Sequence, residues 1–215
     1  MAISASGAGR RRYYARHIAH YTKKNHLLIA LGALFLAGMI LGAILLRGAG
    51  YETLSLLERV VGGLLTRRSQ SGLYENFFSA FGSSMLFILV LFVSGFCAIA
   101  QPVILSLPLI RGLGFGFSAA SLYARYGASA TGIVGVLMLP GMLISTVAIL
   151  LCCKQALRLS NAFFSTMHPA AAKADPPFSL RAYCFGHAFA VGLCALSAFI
   201  EAVLYVVFAN SFVLG

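Results

Sequence analysis

The stretch that decides the fold is LLIALGALFLAGMILGAILL, residues 27–46, which contains no polar side chain. A helix of this length is about 30 Å long, enough to cross the hydrocarbon core of a bilayer. Arg47 follows it directly, whereas a secretory signal peptide has a shorter apolar run and a small-residue cleavage site. We therefore predict a membrane-spanning first helix behind a basic cytoplasmic arm, residues 1–26.

The composition of the whole chain indicates a membrane protein. Of its 215 residues, 60% are hydrophobic and only 10% are charged, whereas about 25% of residues in soluble domains are charged. The net charge of +11 comes from basic residues at the ends of apolar runs. Lipid headgroups and membrane insertion account for charge in those places. The lipid bilayer is therefore the expected partner, and nucleic acid is not.

Four further apolar runs extend the pattern, and we predict segments at 83–108, 112–126, 129–153 and 183–212. The uncharged run 82–110 is too long for one perpendicular span, so it is expected to kink or bend back. The third segment is predicted to be short or re-entrant. The predicted fold is an all-α, polytopic transmembrane helical bundle of about five segments, forming one domain over residues 27–214.

Glycines and prolines are the residues expected to kink these helices or let them pack closely. The spacing Gly38-x-x-x-Gly42 permits close approach of another helix, either from the same chain or from a second copy in a homo-oligomer. The complete set of predicted kink and packing residues is Gly38, Gly42, Pro102, Pro108, Gly112, Gly114, Gly116 and Pro140.

Residues 48–81 form an amphipathic segment that is expected on the outer side of the membrane. Apolar side chains recur in it at helical spacing, which is typical of a helix lying in the interface or capping a bundle. Packing against the membrane segments is the simpler explanation, and a surface for a partner protein is the functional one. The partner-contact candidates are Leu73, Tyr74, Phe77, Phe78 and Phe81.

The distribution of basic residues predicts the orientation. With the N-terminus in the cytoplasm, eleven of the 16 basic residues fall in cytoplasmic segments, if Arg111 is counted as a loop residue. This excess agrees with the positive-inside rule. Five crossings then place the C-terminus outside the cytoplasm.

Two polar side chains within the fifth apolar segment are candidates for function, Glu201 and His187. An ionisable residue inside a membrane segment is costly, so it is a functional candidate by default. Helix packing is the alternative role. The five cysteines lack the spacing of a metal site. The chain also lacks the familiar phosphate-loop, serine-hydrolase and zinc-protease motifs. We therefore expect neither an enzyme nor a cofactor.

Between residues 76 and 140, Asn76-Phe77-Phe78 precedes a long apolar run, and Gly95, Pro102, the stretch 108–117, Gly127 and Leu139-Pro140 follow in order. This order of features resembles the stage II sporulation protein M family. The resemblance covers roughly residues 20–165. It implies a membrane scaffold in spore-forming bacteria, which anchors peptidoglycan-remodelling hydrolases, stage II sporulation proteins D and P, during forespore engulfment. The alternative is a transporter or ABC-type permease subunit that uses the kinked spans and Glu201.

Overall fold

The computed structural model describes the backbone of residues 5–48, 71–167 and 179–213. Side chains are described for residues 25–48, 71–124, 126–164 and 179–208. The five long helices are α1 (Ala5–Gly48), α2 (Leu73–Gly95), α3 (Gln101–Tyr126), α4 (Leu139–Met167) and α5 (Leu180–Val213). Within α1, a kink at Asn25 separates the basic arm from the apolar part of the helix.

Five helical stretches are long and apolar enough to cross a membrane. They are Asn25–Gly48, Leu73–Gly95, Gln101–Ala124, Gly127–Phe164 and Leu180–Phe208. No strand occurs in the described parts of the chain. The prediction of an all-α membrane bundle with five segments is therefore confirmed.

The contacts between α1 and α3 show that these two helices run parallel. Gly38 of α1 lies against Leu109 of α3, and one turn later Gly42 lies against Leu113. The residue numbers rise together along both helices. The chain therefore returns through α2 before it enters α3, as successive membrane crossings require.

The contacts between α4 and α5 show the opposite arrangement. Gly141 near the start of α4 lies against Glu201, which is far along α5. Gln155, further along α4, lies against Gly186 near the start of α5. The two helices are antiparallel, so the described spans alternate in direction from one helix to the next.

The predicted boundary between the second and third segments is wrong. The apolar run divides at a turn after Gly95, and α3 begins at Gln101. Pro102 lies in the first turn of α3, where its missing N–H costs no helical hydrogen bond. Pro108 lies inside α3, which continues past it.

The third span is neither short nor re-entrant, because Gln101–Ala124 contains 24 residues. The sequence prediction ended a span at Arg111 on account of its charge. In the structure Arg111 lies within α3. The glycine-rich stretch that follows it is the second half of the same helix.

The fourth span is longer than the predicted segment 129–153 and begins irregularly. A 3₁₀ turn at Gly127–Ser129 and a π-helix at Ile133–Met138 lead into α4. Pro140 follows the π-helix by two residues. Proline cannot donate to the carbonyl four residues earlier, and its ring clashes with that carbonyl. A locally wider helix before Pro140 accommodates both effects.

The predicted outer segment 48–81 falls partly outside the described residues, which resume at Ser71. Its last part is the start of α2, because this helix begins at Leu73 and continues to Gly95. The aromatic residues of this part therefore belong to a membrane-spanning helix and not to a separate amphipathic one.

Candidate functional site

Four of the predicted packing glycines meet where α1 crosses α3. Gly38 and Gly42 face the backbone carbonyls of Leu109 and Leu113. Gly112 and Gly116 face the carbonyls of Phe35 and Met39 in return. A methyl group added at any of the four glycines would overlap backbone atoms of the opposite helix.

The glycine crossing joins two helices of the same chain. The Gly38-x-x-x-Gly42 face is therefore occupied within the chain itself. Gly114 is not part of the crossing, since it is exposed and has no atom of another residue near the position of a side chain.

Arg111 lies near the middle of the third span, with roughly 15 Å of helix before it and roughly 20 Å after it. Its Nη2 atom is 3.1 Å from Ser145 Oγ on α4 and 3.4 Å from Ser84 Oγ on α2. Its guanidinium carbon is 5.3 Å from the ring centroid of Phe87. Arg111 thus connects three helices, a role that the sequence prediction missed.

The Arg111 contacts are chemically consistent with a charged group in a membrane. A guanidinium has only donors, so it needs acceptors from its neighbours. Ser145 donates its own proton to the carbonyl of Met142 over 3.1 Å, which leaves its lone pairs for the guanidinium. The face of Phe87 adds a cation–π contact. The signal in the sequence was that residues 101–124 form one apolar run of helix length once a single arginine, Arg111, is allowed in it.

Glu201 faces the start of α4 close to Gly141. A side chain at Gly141 would meet Glu201 Cβ at 3.1 Å and Oε2 at 3.2 Å. One turn earlier on α5, the buried Ser197 donates a hydrogen bond to the carbonyl of Gly141. The glycine therefore allows α5 to approach closely at the level of Glu201.

His187 belongs to a buried aromatic cluster that joins the start of α5 to the end of α2. Its Nδ1 atom is 3.0 Å from the carbonyl of Tyr183, and because a carbonyl only accepts, Nδ1 carries the proton. Its ring centroid is 4.2 Å from that of Tyr183 and 5.4 Å from that of Phe92. His187 and Glu201 are fourteen residues apart on one helix, roughly 21 Å, so they form no common site.

Tyr183 on α5 donates a hydrogen bond to the C-terminal end of α2. The last carbonyls of a helix have no partner within it. The Tyr183 hydroxyl is 2.9 Å from the carbonyl of Phe92 and 3.3 Å from that of Leu91. Gly95 gives the hydroxyl room, since a side chain there would overlap it.

The partner-contact candidates lie in the first turns of α2, and we call Leu73, Tyr74, Phe77, Phe78 and Phe81 the aromatic ledge. Tyr74 is 78% exposed and Phe78 is 65% exposed. Phe77 stacks on Phe81 with ring centroids 5.7 Å apart. The structure thus brings these residues together as one ordered surface, from which two large rings project.

The described residues contain no group of three or more His, Cys, Asp or Glu side chains that could hold a metal ion. Several polar groups in the interior instead bond one helix to another, as Arg111, Tyr183 and Ser197 do.

A comparison with protein families identifies the chain's relatives. The family described as stage II sporulation protein M matches residues 31–204. The chain belongs to this family. The match confirms the resemblance seen in the sequence, and it runs from α1 into α5, so it includes the glycine crossing, Arg111 and the aromatic ledge. No curated protein and no solved structure matches the chain.

Proposed function

We propose that this member of the stage II sporulation protein M family is a non-catalytic membrane scaffold. It anchors peptidoglycan-remodelling hydrolases during forespore engulfment, with stage II sporulation proteins D and P as its partners. Family membership supports the biological setting.

The observation that carries the scaffold role is the exposure of the aromatic ledge. Tyr74 and Phe78 project from the first turns of α2, directly after Ser71 and Gly72. Tyrosine and phenylalanine are enriched in the cores of protein–protein interfaces, where their large rigid rings bury much area. The neighbouring ring stack of Phe77 and Phe81 holds this surface in place.

The distribution of charge supports an outward-facing ledge. Arg111 lies inside a span, so it no longer counts toward either side. With the N-terminus in the cytoplasm, ten basic residues then fall on the cytoplasmic side and five on the outer side. The bias toward cytoplasmic basic residues keeps its sign, which supports an outer position for the start of α2, on the side where peptidoglycan lies.

The test is co-purification of the two partner proteins with the tagged full chain from cells undergoing engulfment. Replacing both Tyr74 and Phe78 by Ala should reduce their recovery at least tenfold, since exposed aromatic anchors often contribute more than 1 kcal/mol each. The control is Phe185→Ala, which removes a ring that is 74% exposed at the opposite end of the bundle. Equal recovery with the ledge variant and the control would refute the assignment of the partner surface. Failure to recover either partner with the wild-type chain would refute the scaffold role.

A transport role is the second candidate, and the position of Arg111 favours it. A cation in the middle of a span is a functional candidate by default, and Glu201 lies within the same bundle. The test is growth and sporulation of strains that carry Arg111→Gln or Glu201→Gln at normal protein levels. Normal behaviour of both strains would exclude this candidate, whereas co-purification of an ATPase subunit would favour it over the scaffold.

A further inference from the structure

A groove opens between α1 and α3 beyond the glycine crossing. The two helices touch at Gly42 and Gly116, and toward their ends the space between them widens to about 830 Å³. Small side chains leave this space open, chiefly Ala43 on α1 and Ala120 and Ala124 on α3. The volume falls in the range of about 300–1,000 Å³ that is usual for ligand-binding sites.

The groove runs along the two spans, and its length corresponds to most of one leaflet. Its lining extends from Met39 to Arg47 on α1 and from Gly116 to Ala124 on α3. Eight residues of helix rise about 12 Å. One leaflet contributes about 15 Å to a hydrocarbon core of about 30 Å. The groove is therefore about as deep as the part of an acyl chain that lies in one leaflet.

The side of the groove is open to the bilayer, because its walls on α1 are lipid-facing. Ile40 is 61% exposed and Ile44 is 57% exposed. A lipid can therefore enter laterally from the membrane. Between these residues the groove is apolar, which suits an acyl chain.

The rim of the groove carries a cationic side chain, Arg47, and a phenol, Tyr123. Arg47 lies in the last turn of α1 and is exposed. Tyr123 lines the rim from α3, with its hydroxyl 3.4 Å from Thr131 Oγ1. Arginine forms strong, often bidentate hydrogen bonds with phosphate, and tyrosine is enriched at the level of lipid headgroups.

We propose that this groove binds an anionic phospholipid, with an acyl chain between α1 and α3 and the phosphate at Arg47. The complementary charge at the rim selects an anionic headgroup over a zwitterionic one. The inference does not depend on the proposed partners, because it rests on a different pair of helices from the aromatic ledge.

The headgroup assignment is tested by lipid competition. The full chain is reconstituted into nanodiscs with equal amounts of phosphatidylglycerol and phosphatidylcholine of identical acyl chains, and then released into neutral detergent. Native mass spectrometry measures the lipid that stays bound. The wild-type chain should retain phosphatidylglycerol preferentially, and Arg47→Gln should lower this preference about fivefold, the effect expected of one arginine near an anionic surface. Arg181→Gln, an exposed arginine at the start of α5, is the control and should change nothing.

The groove itself is tested by filling it. Ala120→Phe should reduce the retained lipid severalfold, whereas Leu41→Phe on the exposed face of α1 should not. The unfolding temperature and the elution volume identify a variant that fails to fold. If Ala120→Phe fails to fold, the lipid preference of Arg47→Gln tests the proposal instead. Equal retention of the two lipids by the wild-type chain would overturn the proposal. So would unchanged lipid retention in folded Ala120→Phe protein, or a dimer that only this variant loses, because a second copy would then occupy the groove.

Discussion

Gly112 and Gly114 provide a matched test of the crossing between α1 and α3. They lie two residues apart in one helix, and replacing either by Ala changes helix propensity equally, by about 1 kcal/mol in favour of the helix. Only Gly112 faces another helix. A methyl group there would be 3.0 Å from the carbonyl carbon of Phe35 and 3.1 Å from the amide nitrogen of Met39, and would overlap the Phe35 oxygen. At Gly114 the same methyl group would meet open space.

The expected difference between the two variants follows from these distances. Non-bonded carbon atoms prefer separations of about 3.5–4.0 Å, so the two helices must move apart by about half an ångström or more. Backbone atoms cannot move aside as a flexible side chain does, and overpacking of this kind costs about 1–3 kcal/mol. Gly114→Ala should be neutral or slightly stabilising. The free energy of unfolding of Gly112→Ala should therefore be about 1–3 kcal/mol lower than that of Gly114→Ala.

The measurement is reversible unfolding of the full chain in mixed micelles or bicelles, followed by circular dichroism or by the accessibility of the buried thiols. Gly38→Ala and Gly32→Ala form a second matched pair on α1, since Gly38 faces the Leu109 carbonyl and Gly32 has no neighbour within 4 Å. Equal stabilities within either pair would refute the reasoning. A change in oligomeric state in Gly38→Ala, without a change in unfolding, would show that this glycine faces a second copy.

Three further predictions concern the interior of the bundle and its topology. Ser145→Ala removes an acceptor from Arg111 and should lower the free energy of unfolding by about 1–3 kcal/mol. Ser118→Ala, whose hydroxyl bonds only within its own helix, should change it by less than about 0.5 kcal/mol. Unfolding in the same micelles measures both, and equal losses would contradict the bridging role of Arg111. Tyr183→Phe should cost about 0.5–1.5 kcal/mol, because the ends of α2 and α5 lose their shared hydrogen bonds, whereas Tyr123→Phe should cost less. An impermeant maleimide should label the exposed Cys97 in inverted vesicles but not in intact cells, and labelling in intact cells would reverse the proposed orientation.

The first span was predictable within two residues at each end, because nothing polar interrupts 27–46 and the span observed within α1 is Asn25–Gly48. The boundary between the second and third spans was not predictable from local hydrophobicity. Arg111 was read as the end of a span because an isolated charge in lipid is expensive. Its acceptors, Ser84 and Ser145, are 27 and 34 residues away along the chain. A pattern of local hydrophobicity contains no information about such distant partners.

For the aromatic ledge, the sequence predicted the local helix correctly but not its continuation into the membrane. The helical spacing of its residues correctly placed them on a helix, since α2 begins at Leu73. The spacing alone did not show that this helix continues into the membrane, because the amphipathic turns merge into an apolar run without a break. Exposure of Tyr74 and Phe78, the property on which the proposed partner surface rests, became visible only when the neighbouring helices were in place.

Three hydroxyl groups inside the bundle share one role, which explains how irregular helices remain compatible with a bilayer. Lipid offers no hydrogen bonds, so each open backbone carbonyl needs a partner from the protein. Tyr183 supplies one where α2 ends, and Ser160 supplies another in the following turn, 2.8 Å from the carbonyl of Cys97. Ser197 binds the carbonyl of Gly141, next to the proline that follows the π-helix.

Tyr183 and Ser197 each bond to a carbonyl of another helix, and Ser160 on α4 bonds to the turn between α2 and α3. The irregular points of the chain are therefore also the points at which its helices are tied together. A bundle joined in this way holds its surfaces in fixed relative positions, which is the property that a scaffold requires. Replacing Ser160 by Ala should accordingly loosen the turn between α2 and α3. Faster amide hydrogen exchange at residues 96–100 in this variant than in the wild-type chain would measure that loosening.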